Sequence, residues 1–300
     1  MINVSWARGT RDIYGAGLLV YHVFCDLHNI VEEDRSPASL ILIIVFILSC
    51  AGSYAGGTLV NYVFAIHTWH ILHGIAWSME DMQVRAALTG AVILVPPTSK
   101  WTKRASVMVK LMEHIISALD HTDPLDTAIT SCFLTIFYLV ACTGEFMLPT
   151  LNTFDPMWHI KPLDISNWKD HNNLEVTVFH IPKTKCVLEG EDVFWSHQEG
   201  VSDPKATLDN HFRINDPPAN GPLFTYKHAR GIHPLTKKVF LDRINAVVAL
   251  LSEESLKGHS IRIGGTLEFL LCGVPFDVMK ALGHWSGDTF TLYLHQQMQS

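Results

Sequence analysis

Residues 38–79 lack Asp, Glu, Lys and Arg altogether. The unbroken apolar run inside them, residues 40–48, is nevertheless shorter than the roughly 20 residues that a membrane-spanning helix needs. The segment that follows brings in glycine, asparagine and histidine. We therefore predict two buried helices, at about 38–52 and 56–76, and no contact with a membrane. A membrane-associated protein is the alternative.

The sequence also lacks paired cysteines and a recognisable leader. Its six cysteines are scattered, and none forms a C-x-x-C pair. All but Cys186 lie in apolar or helical contexts, which is typical of reduced thiols in an intracellular protein. The first residues are polar and charged, so we expect no signal peptide. A nuclear or intracellular location is the expectation, although no basic nuclear-localisation run stands out.

Basic residues are in short supply, since 22 Lys and Arg face 29 Asp and Glu and give a formal net charge of −7. This balance argues mildly against a nucleic-acid-binding protein, but binding depends on local patches rather than on the total. The length of 300 residues suits two domains of ordinary size better than one.

The patterning predicts a mainly α protein with a small antiparallel β-sheet. Residues 173–182 alternate and are rich in β-branched side chains, so they predict a strand, with a partner strand in 186–195. Amphipathic or apolar periodicity predicts the other elements as helices. These helices are expected at about 14–31, 80–91, 106–120, 124–141, 204–214 and 235–252.

Three motifs near the end of the sequence carry reactive side chains. His259 and Arg262 form an H-x-x-R at the start of a helical pattern, Gly283-His284-Trp285 follows a second short helix, and Tyr293 comes nine residues after His284. Arginine grips phosphate oxygens with two donors, histidine moves protons near neutral pH, and tyrosine supplies a nucleophilic oxygen. Together they are suited to attack on a phosphodiester.

This ordered set resembles the catalytic core of the tyrosine recombinases, the phage-integrase-like enzymes that break and rejoin DNA. The surrounding segments HSIRIGGT, LLCGVPFDVMKALGHW and FTLYL look most similar to the fungal members that derive from mobile elements. The resemblance implies a two-domain architecture with a helical core-binding domain and an integrase-like catalytic domain.

The resemblance also assigns roles to the motif residues. Tyr293 matches the nucleophile that forms a 3′-phosphotyrosyl bond and releases a 5′-hydroxyl. Arg262 matches an arginine that clamps the phosphate, His259 the general acid/base, and His284 the residue that hydrogen-bonds the phosphate in the transition state. Because the covalent bond retains the energy of the phosphodiester, no metal or other cofactor is implied.

A lysine in a β-hairpin completes the set in this family, where it protonates the leaving 5′-oxygen. Lys185 is the best match, and Lys183 is the alternative. The resemblance implies double-stranded DNA as the partner and a homo-oligomer of this protein on DNA.

The sequence departs from the family at one catalytic position. The first family arginine lies three residues before a glutamate at the end of an apolar helix; here the glutamate is Glu145 and the arginine position holds Cys142. A thiol cannot supply two fixed donors to a phosphate. Between Arg104 and Arg213 there is no arginine to compensate. We expect weakened strand cleavage; the alternative is a catalytically inactive DNA-binding relic of a recombinase.

The family pattern also predicts the domain limits. Residues 1–97 are expected to form the helical, DNA-clamping domain, 98–105 the linker, and 106–300 the catalytic domain. Lys100, Lys103 and Arg104 lie in the linker, where they form either a basic strap along DNA or a solvated connector.

An H-x-x-H-x-x-H pattern at His67, His70 and His73 raises the possibility of a metal site. On a helix, positions i and i+6 are about 240° apart, so the three side chains cannot share one face. No carboxylate or thiol stands beside them in the sequence. We therefore predict no metal here, and partly buried or DNA-proximal histidines instead.

Overall fold

The structure is a computed structural model that describes residues 8–77, 81–94, 106–169, 173–184, 187–198 and 200–285. It divides into two compact units, residues 1–103 (unit 1) and 104–300 (unit 2). The predicted domain limits and the linker 98–105 stay predictions, because residues 95–105 lie outside the described part of the chain. Lys100 and the other two basic residues of that segment lie outside the described residues.

Unit 1 is built from helices. They are α1 (Arg8–Leu27), α2 (Glu32–Arg35), α3 (Leu40–Cys50), α4 (Gly56–Leu72) and α5 (Asp81–Ile93). The two helices predicted in the charge-free stretch are α3 and α4, and Phe46 of α3 packs edge-on against Tyr21 and Phe24 of α1. No helix in the described part of the chain is long and apolar enough to cross a membrane.

The histidine pattern of α4 has a structural use at its central residue. His70 is fully buried. Its Nε2 accepts a hydrogen bond from the Ala38 amide at 2.9 Å, so Nδ1 carries the proton and donates to the Ile66 carbonyl at 2.8 Å. Burial lowers the pKa of His70, which keeps the ring neutral. The Nε2 bond thereby links α4 to Ala38, two residues before the start of α3, whereas the Nδ1 bond lies within α4.

Unit 2 combines helices with two small sheets. Its helices are α6 (Val109–Ser117), α7 (Pro124–Tyr138), α8 (Thr143–Phe146), α9 (Pro204–Asn215), α10 (Lys237–Leu250), α11 (Gly258–Leu271) and α12 (Phe276–Leu282). The central helix is α7, whose side chains are buried on nearly every face. Its start follows the sequence signals, since the Asp123 carboxylate accepts from the Asp126 amide at 2.9 Å and Pro124 is the first helical residue.

The strands of unit 2 are antiparallel. They are β1 (Ile165–Lys169), β2 (Glu175–Ile181), β3 (Glu191–Ser196), β4 (Thr225–His228) and β5 (Gly231–Pro234). The first three form one sheet in the order β1-β2-β3, and β4 and β5 form a separate hairpin. The predicted pair of strands is β2 and β3, whereas β1 and the β4–β5 hairpin were not predicted. The mainly α fold class with a small antiparallel sheet is confirmed.

Candidate functional site

The site begins where α7 gives way to α8. The chain leaves α7 after Tyr138, and Cys142 directly precedes the short helix α8. The carboxylate of Glu145 turns back to accept the backbone N–H of Cys142 at 2.8 Å. Burial raises the pKa of Glu145, and this hydrogen bond and the charge of Arg262 act in the opposite direction. The glutamate therefore fixes the backbone position of Cys142.

Glycines allow α11 to approach this segment closely. A Cβ atom on Gly265 would lie 2.1 Å from the Phe137 carbonyl oxygen, and one on Gly264 would lie 1.9 Å from the Val107 carbonyl oxygen. At the start of α11, a Cβ on Gly258 would meet Thr143 Oγ1 at 2.8 Å. Because only glycine fits these contacts, the helix that carries His259 and Arg262 lies directly against the end of α7 and the start of α8.

Arg262 is held by three neighbours of different kinds. Its Nη1 donates to the Sγ of Cys142, its Nη2 donates to the Gly283 carbonyl, and its guanidinium lies 4.6 Å from the centre of the Trp285 ring. Its Nε is buried and has no hydrogen-bond partner among the described residues. The two acceptors, a thiol and a carbonyl, carry no formal charge. These contacts therefore orient the guanidinium without neutralising it.

His284 occupies an unusual backbone position. It follows α12 in the left-handed region, with φ of 51°. The His284 amide bonds the Ala281 carbonyl at 3.1 Å, and the Trp285 amide bonds the Lys280 carbonyl at 3.1 Å, which is the Schellman pattern of helix termination. Glycine is the usual residue at this left-handed position, and Gly283 stands one residue earlier. Glycine would adopt this backbone conformation at a lower free-energy cost than the histidine that the fold holds there.

The ring of His284 is paired with an acid from the sheet. Its Nδ1 lies 2.6 Å from Oε2 of Glu191, and both side chains are largely buried. Glu191 is the first residue of β3 and pairs with Ile181, the last residue of β2. The hairpin loop 182–190 therefore starts and ends beside the site. It contains both lysines considered for the family's hairpin position.

The two hairpin lysines differ in how the structure describes them. Lys183 is half-buried, and its Nζ lies 3.9 Å from the centre of the Trp158 ring. This cation–π contact engages its ammonium group. Lys185 lies outside the described residues, so its role stays a prediction.

The structure thus brings together Cys142, Arg262 and His284, which are far apart in the sequence. His259 lies one turn before Arg262 on α11 and is half-buried. Sequence reasoning missed Glu191 and gave no role to Trp285. No local pattern marks Glu191, because its partner comes from another element. Of the predicted site residues, those outside the described part of the chain are Tyr293, Lys185, Lys100, Lys103 and Arg104.

The arrangement is suited to binding an anion with tetrahedral oxygens. A thiol and a carbonyl are neutral acceptors, whereas a phosphate oxygen is charged and forms roughly twice as strong a hydrogen bond with guanidinium. A phosphate that replaced Cys142 Sγ as the acceptor would therefore be bound more strongly by Arg262. In the described residues, no group of three His, Cys, Asp or Glu side chains could hold a metal ion.

Comparison with solved structures gives the class of fold. XerH site-specific recombinase bound to palindromic difH substrate, in a post-cleavage complex, has 10% sequence identity and a TM-score of 0.60, with coverage of 94% of this chain and 75% of that chain. XerH bound to difH in a pre-cleavage complex has 12% identity, a TM-score of 0.56 and coverage of 94% and 74%. FLP recombinase in a Holliday junction complex has 12% identity, a TM-score of 0.41 and coverage of 71% and 60%.

No protein-family model matches the sequence, and no curated protein matches it. The fold is that of the tyrosine recombinases. At these levels of identity, the likeness establishes the fold and leaves the activity to be argued from the site.

Proposed function

We propose that this protein is a DNA-binding, site-specific recombinase of the tyrosine class with weakened activity. The observation that carries the proposal is the convergence of Arg262, His284 and Cys142 at one point of a recombinase fold. These are the positions that the family resemblance places around a single phosphate. Double-stranded DNA is the proposed partner, because it is the phosphodiester substrate that this chemistry serves.

In the proposed reaction, the phenolic oxygen of Tyr293 attacks the scissile phosphorus while Arg262 binds a non-bridging oxygen. His284 donates a hydrogen bond to the phosphate, and His259 moves the proton of the nucleophile. The bond to the 5′-oxygen breaks as Lys185 protonates it. The products are a 3′-phosphotyrosyl bond and a free 5′-hydroxyl, and attack by a 5′-hydroxyl reverses the step.

Cys142 is the proposed cause of weakened activity. It stands beside Arg262, where a second arginine would present two further donors to the same phosphate. Removal of one preorganised donor to a transition state lowers the rate by ~10²–10³. The same observation favours the second candidate function, a DNA-binding relic of a recombinase that performs no strand transfer.

Three further parts of the proposal rest on the sequence resemblance. The chain descends from a fungal mobile element, it acts in the nucleus or elsewhere inside the cell, and it forms homo-oligomers on DNA. The segments HSIRIGGT and LLCGVPFDVMKALGHW support the first of these.

A covalent-trapping experiment on a library of candidate target sites tests the activity. The protein is incubated with nicked duplexes that carry a randomised segment, and the DNA that stays attached after denaturation is amplified and enriched over several rounds. We expect a low yield of adduct that depends on the Tyr293 hydroxyl. A Tyr293→Phe variant is the matched control. Equal retention by this variant would contradict strand cleavage and leave the DNA-binding relic as the function.

A further inference from the structure

The pair formed by Glu191 and His284 has a geometry that the proposed chemistry does not by itself require. Glu191 Oε2 and His284 Nδ1 lie 2.6 Å apart, and the exposed fractions of the two side chains are 17% and 21%. Glu191 Oε1 is buried and has no hydrogen-bond partner among the described residues. A carboxylate that is largely removed from water and committed to one imidazole nitrogen strongly favours the proton on that nitrogen.

We propose that Glu191 is a positioning residue, which accepts the Nδ1–H of His284 and thereby directs Nε2 toward the phosphate bound by Arg262, to which the doubly protonated ring donates. This inference rests on the proposed function, because it assigns His284 to the phosphate. Glu191 itself touches neither the DNA nor the reacting atoms. It acts through the orientation and the tautomer of His284.

Two features of the backbone support this role. Arg262 bonds the Gly283 carbonyl, directly before His284, so the site fixes the main chain on one side and Glu191 fixes the ring on the other. His284 also holds a left-handed conformation with φ of 51°, which is unfavourable for a side chain other than glycine. A strained residue persists where several contacts determine its position, and such residues are concentrated at functional sites.

The position of Glu191 in the sheet extends its influence to the hairpin. Its backbone pairs with Ile181 across β2 and β3, and the loop between them contains Lys183 and Lys185. One residue therefore anchors both His284 and the base of the lysine hairpin. A lysine that protonates a leaving group must be placed against the same phosphate as His284, and a shared anchor would keep the two in register.

Nitrogen-15 spectroscopy of the histidine rings tests the tautomer directly in the full chain. The signals of His284 are assigned by their disappearance in a His284→Gln variant. At neutral pH we expect Nδ1 to carry the proton in the native protein and in Glu191→Gln, whose amide oxygen still accepts. In Glu191→Ala the proton should redistribute toward Nε2. An unchanged tautomer in Glu191→Ala would overturn the proposal.

Titration with inorganic phosphate, followed through the same His284 signals, tests the positioning. Removal of an acid should strengthen anion binding if electrostatics alone mattered, whereas loss of positioning should weaken it. We expect Glu191→Ala to bind phosphate about five-fold more weakly than the native chain. Glu189→Ala, which removes an exposed acid from the same hairpin loop, should bind phosphate at least as well as the native chain. Equal or tighter binding by Glu191→Ala would count against the proposal.

These measurements need neither a DNA target nor strand cleavage. If the tautomer of His284 changes in Glu191→Ala and no Tyr293-dependent adduct forms, the positioning role of Glu191 is supported and the recombinase function is contradicted. If adduct forms and the tautomer does not respond, the function stands and Glu191 has no positioning role.

Discussion

Two arginines of unit 2 are fixed by side-chain contacts in contrasting ways. Arg243 on α10 makes two hydrogen bonds of 2.7 Å, from Nε and Nη2, to the carboxylate of Asp126 on α7. Arg262 on α11 is held instead by a thiol, a carbonyl and an indole ring. Both join elements that are distant in the sequence. Only the first has its charge matched by a bidentate carboxylate.

The difference separates an arginine that holds the fold together from one that is available to a ligand. The Asp126 side chain is 5% exposed and is also bound by the Asp120 amide, so its pair with Arg243 is closed. Arg262 is oriented by groups that a charged oxygen can displace, and its Nε remains open among the described residues. An anion-binding site needs this second arrangement, because a guanidinium already neutralised by a carboxylate gains little from a phosphate.

The largest expected effect comes from supplying the site with the charge that it lacks. The variant Cys142→Arg places a second guanidinium beside Arg262, where the two can share one phosphate. The carboxylates of Glu145 and Glu191 lie close enough to offset the added charge. We expect the rate of Tyr293-dependent adduct formation to rise by ~10²–10³. Single-turnover trapping on a nicked duplex measures it.

Two controls separate this effect from a general gain in charge. Cys142→Ser keeps a small side chain at the site and should give no increase. Cys272→Arg adds the same charge at the exposed end of α11, about 15 Å along the helix from Arg262. If Cys272→Arg raised the rate as much as Cys142→Arg, the gain would reflect DNA attraction. No gain in either would mean that Cys142 is not what limits the activity.

The sequence allowed most helices of both units to be predicted, because apolar periodicity and caps such as Asp123 are local signals. The helical pattern also predicted that His259 and Arg262 lie near the start of one helix, and α11 contains both. Strand β1 was not predicted because its side chains are mostly exposed and show no alternation. The β4–β5 hairpin has Ala229 and Arg230 in its turn, without the asparagine or glycine pair that usually marks one.

The parts of the site that sequence reasoning could not supply are contacts across the fold. Glu191 and His284 meet only because β3 and the end of α12 pack together. The close approach of Gly264 and Gly265 likewise depends on which backbone they face, and a glycine pair in a sequence does not specify that. The stack of Arg262 on Trp285 is of the same kind, although the two residues belong to motifs that were already singled out.

A second prediction is that the contacts of Arg243 contribute more to the free energy of unfolding than those of Arg262. Removal of one partner of a buried ion pair usually costs 3–5 kcal/mol, and because the Arg243 side chain is 34% exposed we expect about 3 kcal/mol for Asp126→Ala. Arg262→Ala, which loses a cation–π contact and hydrogen bonds to uncharged groups, should cost about 1 kcal/mol. Urea denaturation measures the change in the free energy of unfolding of both variants, and hydrogen exchange of α7 amides is the second measurement. Equal losses would remove the distinction drawn between the two arginines.

A third prediction concerns a buried histidine outside the site. His211 donates from Nε2 to the Leu223 carbonyl and accepts from the Asn215 amide at Nδ1, and burial lowers its pKa to about 4. The unfolded chain therefore binds a proton below about pH 6.5, whereas the folded chain does not until about pH 4. The stability of unit 2 should fall as pH decreases through this window, by about 2 to 3 kcal/mol at pH 4.5 from this group.

The matched variant for this measurement is His211→Gln, which cannot take up the proton. Its stability should depend less on pH than that of the native chain over the same window, even if it is less stable at pH 7. Hydrogen exchange of α9 amides at pH 7 and pH 4.5 reports the difference. Parallel losses in the two proteins would show that other groups cause the acid sensitivity.

The smallest expected effect concerns DNA binding by basic side chains on the surface. It tests whether a surface cation without a carboxylate partner binds phosphate, as proposed for Arg262. The β4–β5 hairpin presents Lys227, His228 and Arg230 to solvent, and its ten residues from Thr225 to Pro234 include no acid. Elsewhere in unit 2, Lys205 is paired with Asp209 at 2.5 Å. A lysine already paired with a carboxylate releases little counterion on binding DNA, whereas an unneutralised cationic hairpin can contact a phosphate.

Lys227→Ala should therefore reduce the salt dependence of binding to non-specific duplex DNA by about one phosphate contact. Lys205→Ala removes the same charge and should leave the dependence of log K on log salt unchanged. Fluorescence anisotropy across a salt series measures both slopes, and equal slopes for the two variants would exclude this hairpin from the proposed DNA-binding surface.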